Sequence, residues 1–302
     1  MTKAELTAMV AEILGSVDLE PMVKGGDYRP ANPGPQQKDE GYRDGDFVPD
    51  ITELNLRKLY LVENPENGDK YRLMKERTPA RLGSGRAGPR YKTLTMLRFR
   101  ADHAAAQDAV FSQVPEDFAV KNGMVQVQTR CHDKEEYLTR PDLGRCFDEH
   151  NAKVIRGVIQ GTPRVQLVVG DGLSSAAITS NAMDCLEAIR EGLKLRGIDP
   201  GQPIFVRYCR VGAGDAIGDI TGCELVCMLV GERPGLVTDK SMSAYIPYKP
   251  STGVSESSRT VVSNLHAQGT PAVEAGAHIA QLLETILQKK VSGVGLTAEE
   301  SA

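Results

Sequence analysis

Residues Leu225 to Gly235 have the sequence LVCMLVGERPG, in which six consecutive apolar residues end abruptly at a charged, glycine-rich turn. A short run that is apolar throughout is typical of a strand buried on both faces, as in a parallel sheet covered by helices. Open α/β sheets bind ligands at the carboxyl ends of their strands, which is where this charged turn begins. The segment therefore predicts a buried strand that leads into a ligand-binding loop.

The same pattern of short apolar runs followed by polar turns recurs in the second half of the chain. Strands are predicted at 124–128, 165–169, 204–208 and 225–230, and helices at 141–158, from Ser174 or Ser175 to about Gly197, and from Thr270 and Pro271 onward. This alternation is typical of a parallel sheet with helices on both faces. We therefore predict an α/β fold for residues 123–302, with a doubly wound, mostly parallel, Rossmann-like sheet, preceded by a small helical domain at 55–122.

Three of the predicted strands end in loops that suit ligand binding. These loops are Gly170–Ser174, Arg210–Gly212 and Gly231–Gly235. Because the carboxyl ends of parallel strands meet at one edge of a sheet, we expect these loops to form one rim. A further polar stretch at 263–271, interpreted as a loop, is expected to join them.

Charge and hydropathy exclude several classes of protein. The chain has 302 residues, with 36 basic and 40 acidic side chains and a formal net charge of -4. This balance argues against nucleic acid as the main partner, because a phosphate backbone requires a basic protein surface. No apolar run approaches the roughly 18 residues that a membrane span requires, and the N-terminus lacks a signal-peptide pattern. We therefore expect a cytoplasmic protein with neither a membrane nor a nucleic acid as partner.

The cysteines and histidines do not form metal-binding patterns. None of the six cysteines stands in a CxxC pair, and the five histidines show neither HxH nor HxxxH spacing. We expect reduced, buried thiols rather than disulfides or zinc ligands. The sequence therefore predicts no metal site in this chain.

The N-terminal segment is predicted to be a short amphipathic helix on a tether. Over residues 2–17, Thr2 and Glu5 have capping-box spacing, and apolar residues then recur at steps of three and four. Residues 21–54 are rich in Pro, Gly, Asp and Lys and are interpreted as a linker. The pattern fits a docking or targeting segment, and equally a helix that packs onto the body of its own chain.

A basic segment lies within the predicted helical domain. Nine cations stand against one anion, Glu76; they are Arg72, Lys75, Arg77, Arg81, Arg86, Arg90, Lys92, Arg98 and Arg100. Such an imbalance in an acidic chain suits a phosphate or an acidic partner surface. The alternative is a solvated face whose cations pair with carboxylates elsewhere in the sequence.

Two segments partly match nucleotide-binding motifs, but neither has the complete motif. Gly83 and Gly88 have phosphate-loop spacing, but Pro89 and Arg90 stand where Lys and Ser or Thr are needed. The glycines at 212, 214 and 218 are spaced one residue too far apart for the dinucleotide fingerprint. The absence of a GxSxG sequence leaves Ser-His-Asp hydrolysis without a nucleophile elbow.

Seven stretches taken together resemble one known family. They are Ser84–Arg90 (SGRAGPR), Leu97–His103, Tyr137–Arg145 (YLTRPDLGR), Asp171–Ser174, Phe205–Val211 (FVRYCRV), Val230–Leu236 (VGERPGL) and Ser263–Glu274. On these stretches the chain resembles the small-subunit family of ethanolamine ammonia-lyase, an adenosylcobalamin-dependent enzyme. The likeness runs from about Arg77 to Gly295.

The resemblance implies a cofactor site shared with a large subunit, with adenosylcobalamin between the two chains. The contacts of the cofactor carry over by position to Val211, Glu232 and Val261. Glu232 is then expected to accept a hydrogen bond from an amide of the corrin side chains; the alternative is a salt bridge to Arg233 or a neighbouring arginine. Relatives carry a cysteine in place of Val261, so its contact must be apolar or through the backbone.

The resemblance also implies the reaction and the assembly. Ethanolamine is converted to acetaldehyde and ammonia by a radical mechanism, and the chemistry belongs mainly to the cofactor. The main pocket is expected in the large subunit, so no catalytic acid, base or nucleophile is predicted in this chain. The expected assembly is a heterododecamer within the ethanolamine utilisation microcompartment of the bacterial cytoplasm. In that setting, residues 1–20 are expected to be a targeting helix that contacts the shell or other cargo.

Two other classes of protein are alternatives. An independent α/β enzyme that binds a nucleotide through Gly212 and Gly214 would be active without a partner chain. A non-catalytic scaffold of the microcompartment would use residues 2–17 and the basic segment for assembly, and would bind no cobalamin. The strand-end loops favour a ligand site over a pure scaffold, and the failed phosphate motifs disfavour the nucleotide enzyme.

Overall fold

The computed structural model describes residues 50–158 and 163–296, which lie in one unit that begins at Asp50. The predicted helix at 2–17 and most of the predicted linker lie outside these ranges. Of the linker, only residues 50–54 are described, and Ile51–Glu53 form a 3-10 helix capped by the Asp50 carboxylate. The proposed domain boundary near residue 122 stays a prediction.

The strands in the described ranges form a small hairpin and a six-stranded sheet. The hairpin consists of β1 (Arg86–Ala87) and β2 (Arg90–Tyr91), and the sheet of β3 (Val125–Gln128), β4 (Val165–Gly170), β5 (Ile204–Arg207), β6 (Leu225–Gly231), β7 (Met242–Pro247) and β8 (Arg259–Leu265). The strand order is β3-β5-β4-β6-β7-β8; the first four strands are parallel, and β7 and β8 are antiparallel to their neighbours. The prediction of an α/β fold with a mostly parallel sheet is confirmed.

Helices cover both faces of this sheet. The described ranges contain α1 (Gly68–Glu76), α2 (Thr93–Phe111), α3 (Phe118–Lys121), α4 (Lys134–Thr139), α5 (Glu149–Val158), α6 (Ser175–Lys194), α7 (Ala213–Thr221) and α8 (Ala272–Lys289). One apolar cluster joins the sheet to α6 and α8, and a second joins it to α5 and α7. Within these ranges, each helix is too short or too polar to span a membrane.

Strand β6 shows why the LVCMLV run predicts burial on both faces. Successive side chains of a strand point to opposite faces of the sheet. Leu225, Cys227 and Leu229 belong to the cluster with α6 and α8, whereas Val226, Met228 and Val230 belong to the cluster with α5 and α7. Since each position faces an apolar layer, the alternation seen in a half-exposed strand is absent.

The order of the strands opens a crevice at their carboxyl ends. Helix α6 follows β4 on one face of the sheet, and α7 follows β5 on the other face. The adjacent strands β4 and β5 therefore send their loops in opposite directions. Ligands of open α/β sheets bind at such a divergence.

The predicted helix at 141–158 is wrong in its first half. The structure has a 3-10 turn at Leu143–Arg145, extended backbone at Cys146, and α5 only from Glu149. The carbonyl of Gly144 accepts a hydrogen bond from Arg210 N at 2.9 Å, and those of Leu143 and Cys146 accept from Arg130 N. Because these carbonyls bind other parts of the chain, they do not form a continuous helical ladder.

Strands β7 and β8 are absent from the sequence-based prediction, which places a loop at 263–266. Residues 263–265 instead end β8, in which buried, half-buried and exposed positions are mixed. A search for wholly apolar runs does not detect such a strand. Helix α8 begins at Ala272, so Pro271 precedes the first turn rather than lying in it, and no side chain caps the helix.

The N-terminus of α6 follows the prediction. Of the two candidate serines, Ser174 is the cap, because its Oγ accepts a hydrogen bond from Ala177 N at 3.0 Å. The helix ends at Lys194, three residues before Gly197, which has φ +67°. This cap fixes the direction in which the chain leaves the β4 loop.

Candidate functional site

The loops after β4 and β6 touch backbone to backbone. Leu173 N donates a hydrogen bond to Gly231 O at 3.0 Å. A side chain at Gly231 would collide with the backbone of Ser174, and one at Gly172 would collide with Gly231 and Val230. The glycines that follow these strands are therefore needed for close approach of the two loops.

The loop after β5 joins the same rim. Tyr208 adopts the left-handed backbone conformation, with φ 56°, directly after the strand ends. The next amide, Cys209 N, donates to Asp171 O at 2.9 Å. The loops after β4, β5 and β6 thus meet at one edge of the sheet, as the sequence predicts.

A groove of about 680 Å³, called the main groove here, opens beside the β6 loop. It is lined by Arg57, Pro79, Glu232, Arg233, residues 235–238, Ser241, Ser243, Tyr245, Ser263, Asn264, His266, Gln268 and Gly269. The side chains that line it from the sheet are thus polar. The main groove has the size of a ligand site, and it carries several hydrogen-bonding groups among apolar surface.

Glu232 is held in this groove by a tyrosine. Tyr245 Oη donates a hydrogen bond to Glu232 Oε1 at 2.6 Å. Burial raises the pKa of the Tyr245 hydroxyl, and the neighbouring carboxylate raises it further, so the hydroxyl stays protonated and can donate. In the ranges that the structure describes, no ion pair joins Glu232 to Arg233 or to another arginine, so the alternative salt-bridge role is wrong there.

The other two predicted contact residues lie on the same side of the sheet. Val211 is four residues beyond the end of β5 and two residues before the start of α7, and it packs against the cluster formed with α5 and α7. Val261 lies within β8, directly opposite Tyr245 in the ladder, and is 46% exposed. Residues paired directly across two strands project from the same face of a sheet. Their contact with a cofactor stays a prediction.

A second groove, of about 420 Å³, lies above the crevice between β4 and β5. It is lined by His103, Ala106, Gln107, Val110, Leu138, Leu173, Arg210 and residues 233–236. The β6 loop therefore separates this second groove from the main groove and contributes to both. Arg81 Nη2 donates to Leu236 O at 2.6 Å, which ties this loop to the segment before α2.

A buried polar network supports the rim from below. Asp171 Oδ1 accepts a hydrogen bond from Ser175 Oγ at 2.6 Å, and Lys134 Nζ donates to Gly172 O at 3.2 Å. Burial raises the pKa of the Asp171 carboxyl and lowers the pKa of Lys134. Asp171 is visible in the sequence because it follows a strand, whereas no local pattern identifies Lys134. Asp171 is 1% exposed and Lys134 is 7% exposed, and both lie under the loops rather than in a groove.

The glycines of the near-miss nucleotide motifs serve packing. Gly218 lies inside α7, where a side chain would collide with Pro250, and Gly214 faces Met228. Gly83 lies against the Tyr60 ring and has φ +67°. These close contacts account for the glycines without a bound phosphate.

Some cations of the basic segment form ion pairs with carboxylates. Arg81 and Arg98 both bind Asp102, at 2.6 and 2.9 Å, and Lys92 binds Glu63 at 2.5 Å. Other cations of the segment are exposed and have no carboxylate partner within the described ranges; they are Arg77, Arg86, Arg90 and Arg100. Pairing with carboxylates elsewhere in the sequence is thus found for Arg81, Lys92 and Arg98. Binding of a phosphate or an acidic partner by the remaining cations stays a prediction.

The cysteines and histidines form no cluster that suits a metal within the residues described. All six cysteines are free, five of them buried, and burial raises the pKa of Cys185 to about 12. Buried thiols with a raised pKa, as at Cys185, are unreactive at neutral pH. His266 lies in the wall of the main groove, where burial lowers its pKa and favours the neutral imidazole.

The fold and these grooves define an α/β protein with two grooves along the carboxyl edge of a mostly parallel sheet. The family model of the ethanolamine ammonia-lyase light chain (EutC) matches residues 68–297. The chain therefore belongs to this family, and the resemblance stated from the sequence is confirmed.

Curated relatives agree with this assignment. The chain is 53% identical to the ethanolamine ammonia-lyase small subunit of Clostridium perfringens over 294 residues, which cover 97% of this chain and 98% of the relative. It is 59% identical to the subunit of the same name in Clostridioides difficile, and 57% identical to that of Listeria innocua, over 82% of this chain and 85% of each relative. The likeness thus extends over most of the chain.

Proposed function

We propose that this chain is the small subunit of an adenosylcobalamin-dependent ethanolamine ammonia-lyase and that it binds cobalamin together with a large subunit. The observation that carries the cofactor role is Glu232, held by Tyr245 at the floor of the main groove, directly after β6. The large subunit would close this groove from outside, so that the cofactor lies between the two chains. The family membership of the chain supports the same assignment.

The chemistry of the main groove suits cobalamin. The corrin side chains end in amides, which both donate and accept hydrogen bonds. Glu232 offers a second carboxylate oxygen, Oε2, for which the described residues provide no donor. Ser243 Oγ is buried, and it too lacks a partner among those residues. Groups of this kind would hold a ligand fringed with amides.

The width of the site suits a large ligand. Val211 follows β5, Glu232 follows β6, and Val261 lies in β8. In the order of the sheet, β5 and β8 are four strand spacings apart. Four spacings amount to roughly 19 Å. A ligand that reaches both valines must therefore be broad. Val211 and Val261 would contribute apolar contact, whereas Glu232 would contribute a hydrogen bond.

This chain would bind and shield rather than transfer protons. Adenosylcobalamin supplies radical chemistry for the loss of ammonia from ethanolamine when it is bound. Among the groups of this chain, Asp171 and Lys134 are buried and hydrogen-bonded beneath the rim, and His266 is held neutral. We therefore expect the proton-transfer groups and the main pocket in the large subunit. Exclusion of water by the closed groove would protect the reaction.

Cobalamin retention after gel filtration tests this proposal. The chain would be examined alone and co-expressed with a large subunit, as wild type, as Glu232→Ala and as Glu187→Ala, a control on the exposed face of α6. We expect retention by the complex only, weakened by Glu232→Ala and unchanged by Glu187→Ala. Retention by neither sample would remove the cofactor role and favour the scaffold alternative. Retention by the lone chain would contradict a shared site.

The N-terminal residues are proposed to target the complex. The amphipathic pattern of residues 2–17 and the polar composition of 21–54 support a tethered helix that directs a heterododecamer to the ethanolamine utilisation microcompartment. Deletion of residues 1–20 should leave lyase activity intact but abolish encapsulation, measured by fractionation of purified shells. Encapsulation of the truncated enzyme would contradict this role.

A further inference from the structure

Glu232 is held by two hydrogen bonds, one through its backbone and one through its carboxylate. Its backbone N donates to Ser241 O at 2.9 Å, and its Oε1 accepts from Tyr245 Oη at 2.6 Å. Tyr245 lies in β7, and Ser241 lies in the turn that leads into β7. Strand β7 pairs with β6, and Met242 is opposite Gly231 in this ladder. The β-ladder therefore fixes the positions of both partners relative to Glu232.

Tyr245 is itself held firmly. It lies opposite Met228 on β6 and opposite Val261 on β8, and its ring packs against the cluster formed with α5 and α7. A tyrosine has only two side-chain torsions, so a packed ring directs its hydroxyl with little loss of entropy. Its hydroxyl is a neutral donor that brings no positive charge to Glu232 and leaves the lone pairs of Oε2 for another donor.

We propose that Tyr245 is a positioning residue that clamps Oε1 of Glu232 and so turns Oε2 toward a primary amide of the bound ligand. The inference rests on the proposed function, because the amide is that of a corrin side chain. Nothing in the sequence indicates this role, since Tyr245 lies on a strand without an apolar run. Ser243 Oγ, two residues earlier in the wall of the same groove, has no hydrogen-bond partner among the described residues, which supports a ligand at this place.

The raised pKa of Tyr245 agrees with this role. Burial and the Glu232 carboxylate both favour the protonated phenol, while Arg259 opposes them weakly. The hydroxyl therefore remains a donor at neutral and mildly alkaline pH. A clamp made by a lysine or an arginine would instead neutralise the carboxylate and weaken it as an acceptor.

A double-mutant cycle on the complex with the large subunit tests the inference. Wild type, Tyr245→Phe, Glu232→Gln and the double variant would be compared by equilibrium dialysis of cyanocobalamin. Tyr245→Phe keeps the packed ring and removes only the hydroxyl, and Tyr248→Phe serves as a matched control, because Tyr248 packs against the opposite face and lies outside the groove. Thermal melts of all complexes verify folding.

We expect Glu232→Gln to weaken binding about tenfold, and Tyr245→Phe to weaken it about threefold or more, which is within the range for the net contribution of one ordinary hydrogen bond. The double variant should bind no more weakly than Glu232→Gln alone, because the clamp acts only through that carboxylate. Tyr248→Phe should match the wild type. If Tyr245 had only a structural role, the loss of affinity in the double variant would instead be the product of the losses in the two single variants.

The outcomes separate the inference from the proposed function. If Glu232→Gln weakens binding but Tyr245→Phe does not, or if the two losses multiply, the positioning role is wrong and the cofactor role stands. If no complex binds cyanocobalamin, or if Glu232→Gln binds as well as the wild type, the contact assigned to Glu232 is wrong, and the positioning role falls with it.

Discussion

A buried ion pair joins the helix beneath the main groove to the strand that carries Val261. Arg259, the first residue of β8, binds Asp215 in the first turn of α7, and their side chains are 3% and 8% exposed. Arg259 also binds Glu256, and within the described residues the other Asp215 oxygen has no partner. Replacement by Arg259→Met removes the cation but keeps most of the apolar stem. Asp215 is then left buried without its counter-ion.

The expected loss follows from this geometry. Breaking a buried pair by removing one partner costs about 3–5 kcal/mol, because the remaining charge stays desolvated. With a urea slope of about 3 kcal/mol per molar, the unfolding midpoint should fall by roughly 1 M or more. The double replacement Asp215→Asn with Arg259→Met removes both charges, and should recover more than half of the loss.

Urea unfolding followed by circular dichroism at two pH values distinguishes charge from packing. Burial raises the pKa of Asp215, and Arg259 opposes this shift, so loss of the arginine raises the pKa further. In Arg259→Met the carboxyl therefore gains a proton as the pH falls, and the loss should be smaller at pH 5 than at pH 8. Equal losses at both pH values, or an additive double variant, would refute the electrostatic reasoning.

Three further changes have defined outcomes. Gly231→Ala places a methyl group against the Ser174 backbone and should lower stability by about 1–3 kcal/mol, measured by thermal denaturation. Burial lowers the pKa of His266 in the folded chain, so stability should decline as the pH falls below about 6.5, the pKa of histidine in the unfolded chain. The variant His266→Gln should not show this part of the pH dependence. Arg86→Glu with Arg90→Glu tests whether the basic segment binds an acidic partner surface: such binding predicts association with the large subunit about tenfold weaker at low salt and less affected at high salt, and a salt-independent effect would contradict charge pairing.

Much of the central sheet was predictable because burial leaves a local signature. Strand β6 is apolar at consecutive positions, since its side chains enter two different clusters. Strands β4 and β5 are likewise buried at every position and mostly apolar, although β4 contains Gln166 and β5 ends in Arg207. The glycines after β4 and β6 likewise indicate close approach before the partner is known. Placement of Glu232 at the rim follows directly from the end of β6.

The two antiparallel strands, β7 and β8, were not predictable by the same means. Strand β7 carries Ser243 and Tyr245 toward the main groove, and β8 exposes Val261, so neither has a continuous apolar run or a strict alternation. A register shift between Met242 and Ala244 further disturbs the pattern of β8 against β7. The broken helix at 141–158 has a similar cause, because its carbonyls bind distant amides.

The sequence by itself therefore determined the buried strands, the loops at their carboxyl ends and the family. Each depends on residues that are consecutive in the chain, where hydrophobic burial and backbone freedom act locally. Only the tertiary structure decided that Tyr245 holds Glu232, that Lys134 supports the β4 loop and that Arg259 reaches Asp215. These contacts depend on strand register and on which helix covers which face, because directional hydrogen bonds and ion pairs join groups brought together only by the completed sheet.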